Sequence, residues 1–243
     1  MARDRLSLLQ LVPNLVTILG MCAGLSAIRF TFDERYELAA ALIIFAAVMD
    51  GFDGMLARKL DAATSFGAEL DSFADFVSFG VAPGVLVFGY ALAGPMAGAG
   101  WIFVLVFAVC TCLRLARFNI SRVTPEGTAT RHFVGVPAPA GAMLGLLPVF
   151  LGLSGLVDPT RAPLLVALYL AGVGLLMVSR LPTPSIKAVR IARDNAIWVL
   201  IGMSVLVGLL LLRTWVTLVV ADLAYLATLG WLALRRRRRD GAG

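Results

Sequence analysis

Apolar residues in this chain come in long runs, and the polar residues gather between them. Eight runs stand out, roughly Leu15 to Phe32, Leu38 to Ala57, Ala68 to Ala91, Trp101 to Arg117, Val136 to Leu153, Ala162 to Val178, Ala196 to Leu212 and Trp215 to Leu234. A helix rises ~1.5 Å per residue, so runs of this order suit a hydrocarbon layer ~30 Å thick. Within lipid, each backbone N–H and C=O must pair inside its own segment, which makes such runs helical. The pattern predicts an all-α, polytopic membrane helix bundle of about eight transmembrane helices. Pro137 and Pro139 suit the first turn of the fifth helix. Gly80, Pro83 and Gly84 predict a bend or a close helix approach in the third. Residues 1–12, MARDRLSLLQLV, suggest a short amphipathic helix lying on the membrane surface, and residues 235–243 a basic tail. The sequence contains no soluble domain, low-complexity stretch or repeat, so 1–243 reads as a single membrane domain.

Composition agrees: 60% of residues are hydrophobic and the mean hydropathy is +0.90. A net charge of +6 would suit nucleic acid, but the basic residues lie in short clusters between apolar runs. That distribution suits loops facing an anionic leaflet and argues against a nucleic-acid partner. With the N-terminus placed in the cytoplasm, seventeen of the 21 Lys and Arg residues fall on the cytoplasmic side. Only Arg29, Arg35, Arg161 and Arg213 fall on the other, so both termini are expected inside. Cys22, Cys110 and Cys112 all lie in apolar runs and read as buried thiols. The first run is of span length and no small-residue cleavage site follows it, which predicts a first span and not a cleavable signal.

The chemistry gathers in residues 50–75, DGFDGMLARKLDAATSFGAELDSFAD. The run AALIIFAAVM leads straight into Asp50, where an ionised carboxylate costs at least ~2.5–3.5 kcal/mol. Asp50 and Asp53 stand i,i+3 and Asp71 and Asp75 i,i+4, so each pair lines one face of its own helix. The polar stretch between them turns the chain back and aims both pairs at one spot. Four negative charges at one spot require cations, and an all-oxygen donor set favours magnesium or manganese over zinc. The basic asymmetry places this spot at the cytoplasmic end.

The full pattern, Asp50-x2-Asp53-Gly54-x2-Ala57-Arg58-x8-Gly67-x3-Asp71-x3-Asp75, resembles the signature of the CDP-alcohol phosphatidyltransferases at all eight fixed positions. The resemblance implies two divalent ions, Mg2+ or Mn2+, and a CDP-lipid donor whose phosphate is attacked by an alcohol hydroxyl while CMP leaves. It implies that Asp50, Asp53 and Asp71 hold one ion, that Asp50, Asp71 and Asp75 hold the other, and that Asp75 takes the hydroxyl proton. A two-ion clamp suits a reaction that develops charge on both the attacking and the leaving oxygen. Gly54 and Gly67 would let the backbone approach the nucleotide, and Arg58 offers a planar fork for phosphate or ribose. Asn14 and Thr17, near the start of the first run, are candidates either for CDP contact or for helix capping.

Softer segments, LDSFADFVSFGVAP, RLARFN, FVGVPAPAGA and SRLPTPSIK, resemble the branch that makes phosphatidylserine from CDP-diacylglycerol and L-serine. Where that branch often has Gly-Leu-Pro, this chain has Gly135-Val136-Pro137. Serine brings a carboxylate that needs a cation, and Arg114, Arg117 and Lys187 at span ends are the candidates for binding the acceptor. Membrane lipids and a second copy, in a homodimer, are the other partners implied. Three rivals stay open: another acceptor such as glycerol 3-phosphate or an inositol phosphate, an intramembrane prenyltransferase, or a divalent-cation transporter.

Overall fold

A computed structural model of the chain describes residues 8–62, 64–94, 96–123, 135–179 and 196–240. The described residues form eight helices: α1 (Leu8–Phe32), α2 (Tyr36–Lys59), α3 (Ser65–Leu92), α4 (Ala97–Val123), α5 (Ala138–Leu153), α6 (Pro163–Val178), α7 (Ala196–Leu212) and α8 (Thr214–Asp240). All-α architecture is as the runs predict. By length and composition α1, α2, α3, α4 and α8 can cross a membrane, and the apolar parts of α5, α6 and α7 are shorter. At ~1.5 Å per residue, the 16-residue helices α5 and α6 reach only ~24 Å. The chain is an integral membrane protein on these helices.

The bundle is built on α5. This helix is apolar all round and is buried along most of its length, from Ala138 to Phe150, as a helix with no polar face must be. Around it pack α2, the middle of α3, α6 and α8. An antiparallel hairpin of α1 and α2 joins α3 on one side, and α4 pairs with α6 on the other. α7 is also apolar all round but is exposed along nearly its whole length and packs chiefly on α8.

Small residues set how closely these helices approach. A Cβ at Gly24 of α1 would fall 2.5 Å from Ser78 Oγ, and one at Gly80 of α3 would fall 3.2 Å from the Thr111 side chain of α4. Gly84 likewise lets α3 approach α4 closely, since a Cβ there would fall 2.9 Å from Val104 Cγ1, and α3 also departs from regular α-helix along this stretch. It widens into π-helical turns over Phe76–Val81 and Phe88–Leu92, and the first begins immediately after Asp75. Pro137 caps α5, and Pro139 lies in its first turn, as expected. Gly135, just upstream, has φ +90, and a Cβ there would meet the Met177 carbonyl oxygen at 2.5 Å. Only glycine fits, because φ is left-handed and backbone fills the space.

Two expectations change. Residues 8–12 are the opening turns of α1 and not part of a separate surface helix; residues 1–7 lie outside the described residues. The reason is continuity, since the apolar pattern of LLQLV runs on through Pro13 without a helix stop. Of the cysteines, all unbridged, only Cys110 is buried, whereas Cys22 and Cys112 are exposed on outward faces of α1 and α4. Apolar surroundings in sequence do not separate a core-facing from a lipid-facing position when lipid is itself apolar. The tail is helical as far as Asp240.

Candidate active site

α2 ends at Lys59 and α3 starts at Ser65, so a short loop folds the two carboxylate pairs toward each other. Thr64 caps α3, its hydroxyl accepting from the Gly67 N–H at 3.0 Å. One oxygen from each of Asp50, Asp53 and Asp71 lies within 4.8 Å of the other two. Asp75 shares a hydrogen bond with Asp50, and all four line one cleft with Thr17, Gly20, Ser78 and Phe79. The spacing therefore predicts the convergence correctly.

A metal fits this donor set. Oxygens around a magnesium-sized ion at ~2.1 Å stand roughly 3–4 Å apart, so a small inward shift closes the three on one ion. Asp53 is buried, and Thr17 of α1 donates to its Oδ2 at 2.7 Å while lying 3.1 Å from the Pro13 carbonyl. Thr17 thus does more than cap a helix: it fixes one carboxylate from behind. Asn14 lies one turn earlier, and a Cβ at Gly67 would fall 2.8 Å from its Oδ1. The start of α1 and the start of α3 touch there, which gives Gly67 a packing reason of its own. Gly54 is different. A Cβ there would meet only Arg58 Nη1, at 3.6 Å, so the surface beside it is open to a ligand. Ala57 is half-buried and Arg58 exposed at the end of α2.

Arg114 of α4 is half-buried, and its charge acts on Asp75 and Asp50. Its Nε–H donates to the Val136 carbonyl at 2.6 Å, and the guanidinium stands 5.9 Å from the Phe118 ring. Arg117 is exposed and donates to the Val178 carbonyl at 3.2 Å, which ties α4 to the end of α6. Lys187 lies outside the described residues.

Several residues of this region are not marked by the signature. Asn119 Nδ2 donates to Ser72 Oγ at 2.9 Å and so fastens α4 to α3 between Asp71 and Asp75. Ser78 donates to the Gly20 carbonyl at 3.3 Å. Its signal was the Gly20-x3-Gly24 spacing of α1, which admits a close partner helix. In α8, Asp222 is buried with no hydrogen-bond partner for Oδ2 among the described residues, and the Tyr169 phenol is its electrostatic neighbour. A lone Asp inside an apolar run was the available signal.

Comparison with known proteins adds the family. The family model for CDP-alcohol phosphatidyltransferase matches residues 10–178. A Mycobacterium tuberculosis protein named CDP-diacylglycerol–serine O-phosphatidyltransferase is 36% identical over 235 residues, 95% of this chain and 80% of that protein. Proteins of the same name from Bacillus subtilis and Helicobacter pylori are 36% identical over 176 residues and 33% identical over 196. The Bacillus match covers 72% of this chain and 91% of that protein, and the Helicobacter match 81% of each.

Proposed function

We propose that this chain, which belongs to the CDP-alcohol phosphatidyltransferase family, transfers a phosphatidyl group from CDP-diacylglycerol to the hydroxyl of L-serine, giving phosphatidylserine and CMP. The observation that carries the chemistry is the convergence of the Asp50, Asp53 and Asp71 oxygens within 4.8 Å in a cleft that Asp75 also lines. The names of the relatives support serine as acceptor. A prenyltransferase would place its Asp motifs far apart in the chain, whereas all four fall within residues 50–75, and a cation transporter would leave the Asp-Gly and Ala-Arg positions of the signature without a role.

Asp50, Asp53 and Asp71 would hold one Mg2+ or Mn2+ and Asp50, Asp71 and Asp75 a second. Such ions supply neutralisation of the pyrophosphate and stabilisation of the attacking and leaving oxygens. The rest falls to the side chains. Thr17 keeps Asp53 oriented, and Asn14, Gly54, Ala57, Arg58 and Gly67 border the seat of the CDP-lipid. Asp75 accepts the proton of the serine hydroxyl as its oxygen bonds to the lipid-linked phosphorus. The bond from that phosphorus to the CMP phosphate breaks, and CMP carries the electron pair away. Arg114 binds the serine carboxylate beside Asp75, and Arg117 and Lys187 remain alternatives. The test is CMP release by purified protein from CDP-diacylglycerol with Mg2+ or Mn2+ and a panel of alcohols. Serine should support it, and glycerol 3-phosphate and inositol phosphate should not. Release with glycerol 3-phosphate and none with serine would overturn the acceptor, and release as fast without alcohol as with it would overturn the transfer reaction.

The protein is further proposed to cross the membrane eight times, with both termini and the carboxylate cleft in the cytoplasm, and to work as a homodimer. The seventeen-to-four basic asymmetry supports that orientation. It predicts the outcome of impermeant maleimide labelling after the three native cysteines are changed to serine. A cysteine replacing Asp158 should label in intact cells, and one replacing Asp61 only after permeabilisation. Labelling at position 61 in intact cells reverses the orientation.

A further inference from the structure

α3 and α4 meet along a seam that advances four residues at a step on each helix. On α3 it runs through Gly84, Gly80, Phe76 and Ser72, and on α4 through Phe107, Thr111, Leu115 and Asn119. A Cβ at Gly84 would fall 3.8 Å from Phe107 Cδ1, and one at Gly80 would fall 3.2 Å from the Thr111 side chain. Phe76 packs in the apolar cluster that holds Leu115. The last step is polar, with Asn119 Nδ2 donating to Ser72 Oγ at 2.9 Å. The Ser72 hydroxyl has one proton of its own, and the Ala68 carbonyl at 3.0 Å and Asn119 Oδ1 at 3.1 Å can accept it. Both side chains are half-buried. Apolar contact is non-directional, so the first three steps hold the helices together without fixing their rotation. A hydrogen bond weakens steeply as its angle opens, so the fourth step fixes it.

Ser72 belongs to the α-helical stretch Ser65–Asp75, which carries Asp71 and Asp75 and ends where the π-helical turn begins at Phe76. That turn breaks the regular face of α3, so packing beyond it does not by itself orient the carboxylates before it. The stretch is held at its start, where Gly67 meets Asn14 of α1, and again at Ser72 by Asn119. Ser72 adjoins Asp71 and stands i,i+3 from Asp75. Rotation of this stretch about its axis would swing both carboxylates away from Asp50 and Asp53 on α2. We propose that Ser72 and Asn119 are positioning residues for the metal site, their hydrogen bond holding Asp71 and Asp75 at the angle that closes the carboxylate cleft on its divalent ions. The proposal rests on the metal reading above and deepens it, because it gives α4 a part in metal binding that the signature on α2 and α3 does not carry.

The test is direct Mn2+ binding to the purified full-length protein without lipid substrate, read from the paramagnetic resonance signal of the free ion. Ser72→Ala and Asn119→Ala should each raise the Kd for Mn2+ on the order of tenfold, as loss of one hydrogen bond allows. The double variant should fall within about twofold of the weaker single variant, since both remove the same bond. Ser72→Thr, which keeps the hydroxyl, should bind within about twofold of wild type. Leu115→Ala removes packing at the neighbouring step of the seam and no hydrogen bond; it should lower thermal stability and leave the Kd within about twofold. In CMP release, the Mn2+ concentration for half-maximal rate should rise with the Kd, while the serine KM at saturating Mn2+ stays unchanged. An unchanged Mn2+ Kd in both alanine variants overturns the proposal. So does a Leu115→Ala variant that loses Mn2+ as they do, since packing alone would then explain the effect. Failure of the metal reading would show separately, as wild-type protein that binds no Mn2+.

Discussion

Changing any one of Asp50, Asp53, Asp71 or Asp75 to asparagine should lower turnover by at least ~10³-fold while the protein stays folded in the membrane. Asparagine keeps the shape and one oxygen but removes the charge, and charge is what the site lacks once any carboxylate is gone. Three of these oxygens meet within 4.8 Å, so losing one leaves the donor set a charge short. Folding should survive, because each substitution relieves repulsion among like charges. The four should also differ. Asp53 is buried and held by Thr17, so Asp53→Asn leaves an amide against a hydroxyl and should impair metal binding most directly. Asp75 borders the cluster through Asp50, and its proposed task is to take a proton. Asp75→Asn should therefore retain CDP-diacylglycerol binding best of the four while losing transfer. The measurement is metal-dependent CDP-diacylglycerol binding set beside initial rates at saturating Mn2+ or Mg2+. A variant of near-native rate would remove that carboxylate from the site.

The legibility of this protein in its sequence follows from which forces act at long range along the chain. The helices were legible because membrane burial imposes long apolar runs, and all eight runs correspond to helices. The carboxylate cleft was legible because helical periodicity fixes which side chains share a face, and a five-residue link between α2 and α3 leaves the hairpin little freedom. Other contacts were hidden for a physical reason. The Asn119–Ser72 bond and the Arg114–Val136 bond join residues 47 and 22 positions apart, and neither follows from periodicity. They depend on how α4 sits against α3 and α5, and the close approach at Gly80 to Thr111 of α4 is one contact that sets it. The outward placement of Cys22 and Cys112 was hidden too, because lipid and core make the same demand on a side chain. Asp222 is the opposite case: a single carboxylate within the apolar stretch of α8 stands out on inspection, yet no spacing connects it to the other four.

Of the two described candidates for the serine carboxylate, Arg114 is half-buried with its charge acting on Asp75 and Asp50, while Arg117 is exposed and tied to the Val178 carbonyl. Arg114→Ala should therefore raise the KM for serine by ~10²–10³-fold, since breaking a buried charge pair costs about 3–5 kcal/mol. The KM for CDP-diacylglycerol should change little, because the proposed seat of its phosphates is the carboxylate cluster and not α4. Arg114→Lys should recover only part of the loss: a point charge can balance the carboxylate but cannot span both of its oxygens while also holding the Val136 carbonyl. Arg117→Ala should leave both constants within about threefold, as exposed contacts contribute little. Ethanolamine separates two explanations for any loss in Arg114→Ala. If Arg114 only shapes the site, serine and ethanolamine should lose rate together. If it binds the carboxylate, serine should fall toward the poor rate of ethanolamine, which should itself hold steady. A serine KM unchanged in Arg114→Ala but raised in Arg117→Ala or Lys187→Ala would move the acceptor seat to the other side of α4.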